Sequence, residues 1–453
     1  MGTEGGLMES ESSRIRKDVW DLATPAVAEY VLMMVTGIVE TALVGRLGAS
    51  AIAVLGLSMQ FYWFISVLFV AIGVGGVALI SRSVGEGDLE DARTVAEHAF
   101  LAASLFGLLI ACLFYFQAEN LLAMMGAAPD VVATGKQYLR TLSSALLFMG
   151  VFLVGNAIFR AWGDTRTPMK ITLVANSLHM ILAILLIFGY FGSPRLGVQG
   201  SAVASLVSKI LGGTVVFWLL FRQGGKARLG GLLRLRTRVF LRLFHIAGPA
   251  LGEQFCLSSG HLFYAALVSR LGTVSFAAHQ VAIRAESFSF MPAMGFSAAA
   301  ATLVGQNLGA RKPETAEKSA MEATWGAIWV MTSLGAVFFF FPHLVVRLFT
   351  SEAEVVRLGS QCLRIVAVAQ PLEAVLFVLL GALRGAGDTR ASFLISTVGV
   401  WLLRVPATLF LVSAARLGVT GAWYAMVADI TVRGLLAFWR FRGGRWKEVE
   451  VKR

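Results

Sequence analysis

The sequence predicts an all-α integral membrane protein: twelve transmembrane helices in two pseudo-symmetric six-helix lobes. Three observations carry that prediction: a composition too apolar for a water-soluble fold, twelve stretches long enough to cross a bilayer, and an internal repeat that pairs the first six with the last six. Of 453 residues 57% are hydrophobic and 15% charged, and the mean hydropathy is +0.73. Soluble domains hold roughly 45–50% apolar and about 25% charged residues. Cys112, Cys256 and Cys362 sit singly in apolar runs at no metal-ligand or redox spacing, and the six His are scattered, so neither a disulfide framework nor a zinc site is expected. The net charge of +12 gathers on no single basic face of the kind nucleic acid would need, and no nucleic-acid partner is expected.

A spanning helix needs roughly 20 largely apolar residues. Candidate spans run over about 20–45, 51–81, 94–118, 132–159, 168–191, 196–221, 241–269, 274–305, 318–344, 355–383, 391–415 and 418–439. The polar, acidic start lacks the basic region that opens a signal peptide, so the first apolar run reads as a span. Twelve spans put both termini on one side. The tails and alternate loops of that side hold 26 Lys and Arg, the opposite loops nine. Because cytoplasmic loops carry the cationic excess, both termini are expected in the cytoplasm of a cell with the protein in its inner (plasma) membrane. Seven of the 26 crowd into 222–242, which reads as a basic cytoplasmic linker (223–240) between lobes 1–222 and 241–453, in contact with anionic lipids.

A shift of 224 residues lays 24–48 on 248–272 and gives nine identities over positions 25 to 48, among them Pro25/Pro249, Glu29/Glu253, Arg46/Arg270 and Gly48/Gly272. It also carries Gly85 onto Gly309, Arg140 onto Arg364 and RAWGDTR (160–166) onto RGAGDTR (384–390). A shift of 221 then joins RLGVQG (195–200) to RLGVTG (416–421), which places one three-residue deletion in between. Six spans per half are even, so both halves enter from the same side as parallel repeats. In that arrangement substrates bind between or inside the lobes and access alternates.

Six of the 27 acids fall within spans away from the span ends: Glu29, Glu40, Glu253, Glu286, Glu373 and Asp429. Each costs on the order of 2.5–3.5 kcal/mol on insertion scales, which makes it a candidate for function. A carboxylate in a dry cavity can hold a proton near neutral pH and release it when a cation binds, as an antiporter requires. Each also has a structural alternative. Glu29 and Glu253 lie four residues after Pro25 and Pro249, where they can bond backbone freed by a proline kink or serve beside a hinge. Glu286 follows Arg284 by two residues, and Glu373 precedes Arg384 by eleven. Asp429, four residues before Arg433, reads as an intrahelical pair near the membrane edge. Asn156, Asn176, His179 and Gln280 are polar residues in apolar spans, either interhelical glue or lining of a polar cavity.

Four strings resemble the multidrug and toxic compound extrusion (MATE) transporters: GIVETALVGRLG (37–48), AAHQVAIRAESFSFMPAMGFSAAAATLVGQNLGA (277–310), QPLEAVLFVLLGALRGAGDTR (370–390) and RLGVTGAWYAMVAD (416–429). With the spans and the repeat, the resemblance covers nearly the whole chain. It implies a V-shaped pair of six-helix lobes, acting as a monomer without a cofactor, that exports small organic, often lipophilic cationic compounds in exchange for H+ or Na+. It places Glu40 where relatives often carry an Asp tied to proton coupling, Glu373 at the acid position of the tenth span, and a possible Na+ site at Glu253, Glu286 and Glu373. Two departures stand out. In the fifth span His179 and Ala183 replace an Asn and an Asp of many relatives, and a seventh-span Glu of others falls on Leu257, one turn after Glu253. No Walker loop, HExxH or G-x-S-x-G motif occurs. The chain therefore reads as a transporter driven by an ion gradient and not as an enzyme. A lipid-linked oligosaccharide flippase, a channel and an intramembrane enzyme are the alternatives.

Overall fold

The computed structural model describes residues 2–124, 129–222, 229–230 and 236–451, with side chains described outside 2–10, 49–50 and 129–130. Every long element among them is a helix: α1 (Gly2–Gly45), α2 (Ala49–Glu86), α3 (Leu89–Met124), α4 (Pro129–Ser144), α5 (Leu146–Ala161), α6 (Arg166–Phe188), α7 (Val198–Phe221), α8 (Thr237–Ser269), α9 (Thr273–Gly309), α10 (Pro313–Phe340), the short α11 (Pro342–Arg347), α12 (Ala353–Ala367), α13 (Gln370–Ala386), α14 (Thr389–Thr397), α15 (Val405–Leu409) and α16 (Gly418–Arg442). Helices lie over all twelve expected stretches. Eight helices have the length and apolarity to cross a bilayer, and the bent pairs α4/α5 and α12/α13 bring the number to ten. The long helices α8 and α16 lie over the two remaining expected stretches, α16 being the one that carries Asp429 and Arg433. Of the linker over 223–240, residues 223–228 and 231–235 lie outside the described residues; Gly230 N–H donates to Glu97 and Arg236 N–H to the ring of His98.

Three spans depart from straight helices, each for a local reason. The pair α12/α13 bends by 61° just before Pro371, which has no N–H to return to Ala367. The pair α4/α5 bends by 41° after Ser143 and Ser144, whose hydroxyls donate to Leu139 and Arg140 carbonyls one turn back. The eleventh span winds into π-turns at Val398–Arg404 and Phe410–Ala414 on either side of Pro406, a geometry that concentrates at functional sites. By contrast α1 and α8 run through Pro25 and Pro249 without interruption.

Packing divides the chain into two compact units. One comprises Met1–Tyr30, Ser81–Gly87 and Gly248–Arg453, the other Val31–Ile80 and Asp88–Ala247. The end of α2 therefore packs with the unit that holds α9. A methyl group at Gly85 would overlap the Gln306 carbonyl, and one at Gly309 the Arg82 carbonyl. Under the 224-residue shift Gly85 matches Gly309 and Arg82 matches Gln306, so the crossing is reciprocal: the same two repeat positions meet each other twice. Overpacking of such a contact costs roughly 1–3 kcal/mol, so Gly309→Val should lower the thermal midpoint in detergent. Gly37→Ala, in open space, should leave it unchanged or raise it.

Candidate functional site

In the unit containing the second half, four spans bring charge together in the apolar interior. Asp429 on α16 is fully buried and accepts from both nitrogens of Arg433, Nε to Oδ1 at 2.7 Å and Nη2 to Oδ2 at 2.6 Å. Arg404 closes on the same carboxylate from the π-turn of the eleventh span, Nη2 to Oδ2 at 2.8 Å. The expected intrahelical pair exists, but it lies inside the packing and has a second arginine, which accounts for its burial: the Asp is shared by two guanidinium groups.

Around this triad stand the two acids of α9 and α13. Glu286 and Glu373 are both buried and lie within electrostatic reach of each other and of Arg404, and Glu373 also of Arg433. Glu286 turns away from Arg284, which is exposed, because two residues rotate a helix by about 200°. Glu373 sits in the first turn after the Pro371 bend, where Gln370 Nε2 donates to it at 3.0 Å and the Ser289 hydroxyl donates in turn to Gln370. Glu253 on α8 is held separately: Ser392 and Ser396, one turn apart on α14, donate to its two oxygens at 2.6 and 2.9 Å. Among the described residues no three His, Cys, Asp or Glu gather as a metal site, so Glu253, Glu286 and Glu373 do not assemble into one carboxylate set for Na+. Both oxygens of Glu253 are committed to the serines.

The other unit holds a smaller polar centre. Glu40 on α1 is buried, accepts from Ser201 Oγ on α7 at 2.5 Å, and faces His179 Nε2 on α6 at 3.6 Å. Tyr62, Tyr138 and Lys209 are within electrostatic reach of the same carboxylate, and the Lys209 ammonium lies 4.9 Å from the ring centroid of Phe152. His179 thus stands beside the acid, whereas Ala183 is buried among apolar residues. Asn156 is buried on α5, and Asn176 is half-buried with its amide nitrogen lacking a hydrogen-bond partner.

Two candidates lie elsewhere. Gln280 is exposed, whereas the neighbouring His279 is buried, packed edge-on to Tyr264 and Trp423. Glu29 is buried in the first-described unit, apart from the one that holds Glu40. Arg404 and Lys209 are not among the residues the sequence singled out; a cation in an apolar span is itself the signal that an acid awaits it. The i,i+4 serines 392 and 396 were a second unused signal, since they share one helix face. Removing the shared carboxylate would strand two buried guanidinium groups, at a cost of roughly 3–5 kcal/mol. Asp429→Asn should accordingly unfold in detergent far below the parent temperature, while a change at exposed Gln280 should not.

The family model MatE matches residues 25–185 and 249–410, one segment in each half. A probable multidrug resistance protein NorM of Thermotoga maritima is 30% identical over 445 residues, covering 98% of this chain and 96% of that protein. The multidrug resistance protein NorM of Burkholderia vietnamiensis is 29% identical over 439 residues, with 95% and 94% covered. Among solved structures, a MATE protein in the straight conformation superimposes with a TM-score of 0.90 at 22% identity, over 96% of this chain and 97% of that one.

Proposed function

The chain belongs to the MatE family of multidrug and toxic compound extrusion transporters, and from that premise we propose that it is an antiporter exporting small organic, lipophilic cationic compounds against H+ or Na+. It is a transporter and not an enzyme. The names of its relatives support multidrug efflux, and the antiport reading rests on one observation, the charge balance of the buried cluster. Glu286, Glu373 and Asp429 face Arg404 and Arg433. Two arginines offset two carboxylates, and the third negative charge calls for one monovalent cation. Asp429 is fully committed, so the exchangeable charge belongs to the Glu286–Glu373 pair. A proton or Na+ on that pair neutralises the cluster. Its departure restores a buried negative charge and with it the attraction for a cationic substrate, which lets one site serve both partners in turn.

In this reading the two six-helix repeats, 1–222 and 241–453, are the moving lobes of a monomer in the plasma membrane. The basic stretch 223–240 faces anionic lipid on the cytoplasmic side with both termini, and Glu40 beside His179 is a second protonation site.

Counterflow in proteoliposomes loaded with ethidium, with pH and sodium gradients imposed separately, tests the proposal. One of the two gradients should drive export, and Glu373→Gln and Glu286→Gln should each reduce gradient-driven export at least tenfold while the protein stays monodisperse. Wild-type rates in both variants would refute the coupling site. In the same vesicles Glu40→Gln should shift the pH profile of export and Glu40→Asp should keep it; an identical profile in Glu40→Gln removes Glu40 from coupling.

A further inference from the structure

The segment after α16 does not trail away from the protein. Gly444, at φ 73°, turns the chain after α16, and Trp446 is then fully buried, stacked on Phe441 at 4.7 Å and 11° with its Nε1 donating to the Phe441 carbonyl at 2.7 Å. Trp446 belongs to the apolar core that also contains Leu308, Leu383 and Ala386, at the ends of α9 and α13. Lys447 pairs with Glu317 of α10 at 2.5 Å, and Arg442 reaches the same carboxylate at 3.7 Å. Val451 is buried against Gly387. The remaining contact goes to a different part of the chain: Arg82, near the end of α2, donates to the Val449 carbonyl at 2.8 Å and to the Ala386 carbonyl at 3.5 Å.

Residues 81–87 are the one stretch between 31 and 247 that packs with the unit holding the second half. Two of the contacts that keep them there stand out. One is the glycine crossing at Gly85 and Gly309; the other is the strap 443–451, which meets Arg82 through a main-chain oxygen while Trp446 and Lys447 anchor it to α9, α10 and α13. Any rearrangement that carries the end of α2 away with the rest of α2 must break the Arg82–Val449 bond.

We propose that residues 443–451 form a latch that holds the end of α2 in the second-half unit and sets how readily that end is released during the transport cycle. The functional role rests on the antiport reading, but the latch itself is measurable without transport. Spin labels at Glu90→Cys and Lys312→Cys, in a chain whose three cysteines are replaced by alanine, report the separation of the two units by double electron–electron resonance in detergent with no substrate or gradient. Deleting 445–451, or Trp446→Ala, should raise the ratio of long to short distances roughly tenfold, the change that about 1.4 kcal/mol produces in a two-state ratio. Lys447→Glu should raise it about threefold, as fits a partly exposed ion pair, and adding Glu317→Lys should bring it back. An unchanged distribution in a monodisperse, helical deletion variant overturns the latch. Should the deletion misfold, failure of Glu317→Lys to rescue Lys447→Glu overturns it instead. A protein that shifts its distances but exports no ethidium under either gradient would refute antiport and leave the latch standing.

Discussion

The price of charge in a hydrocarbon interior organises the second half of this protein. A lone buried ion is untenable, so Asp429, Arg404 and Arg433 exist only as a set, and the set must be supplied by spans that are otherwise apolar. Arg404 reaches the carboxylate from a π-turn, and that turn adjoins Pro406, whose missing N–H already prevents a regular α-helical ladder. Backbone irregularity and buried charge therefore sit together. The bend before Pro371 has the same consequence on the facing helix, since it puts Gln370 and Glu373 at the start of a new segment beside the triad.

How much of this was legible in the sequence follows from which signals are local. Span lengths, the proline positions and the 224-residue repeat are properties of the chain itself, and all twelve helices lie where hydropathy put them. The acids too were visible, because a carboxylate in an apolar run stands out. Apart from Arg433, one turn from Asp429, their partners were not: Ser392 and Ser396 meet Glu253 from 139 and 143 positions away in the chain, and no periodicity reports which two helices touch. Gln280 and His279 show the limit at its smallest. One residue rotates a helix by about 100°, and that step separates an exposed amide from a buried imidazole. The π-turns were equally hidden, since Pro406 alone is compatible with a kink, a break or a bulge.

The repeat explains something the list of acids does not. Under the 224-residue shift Glu40 on α1 falls on Tyr264 of α8, and Tyr62 on α2 falls on Glu286 of α9. At these two repeat positions each half thus carries one carboxylate and one tyrosine, with the helices exchanged, and in each half the tyrosine lies within electrostatic reach of the acid. A duplicated bundle begins with two equal sites. Had both halves kept an acid at both of these positions, each would bury a pair of like charges there, which is costly unless a counter-ion is built in. The first half keeps its acid on α1, where Ser201 and His179 suffice as partners. The second keeps its acid on α9, where Glu373 adds a further charge and Arg404 and Arg433 are required. Asymmetry of charge on symmetric helices therefore distinguishes the two halves: the first gathers Glu40 with Ser201 and His179, whereas the second gathers three carboxylates with two arginines, a five-charge cluster with one carboxylate unbalanced.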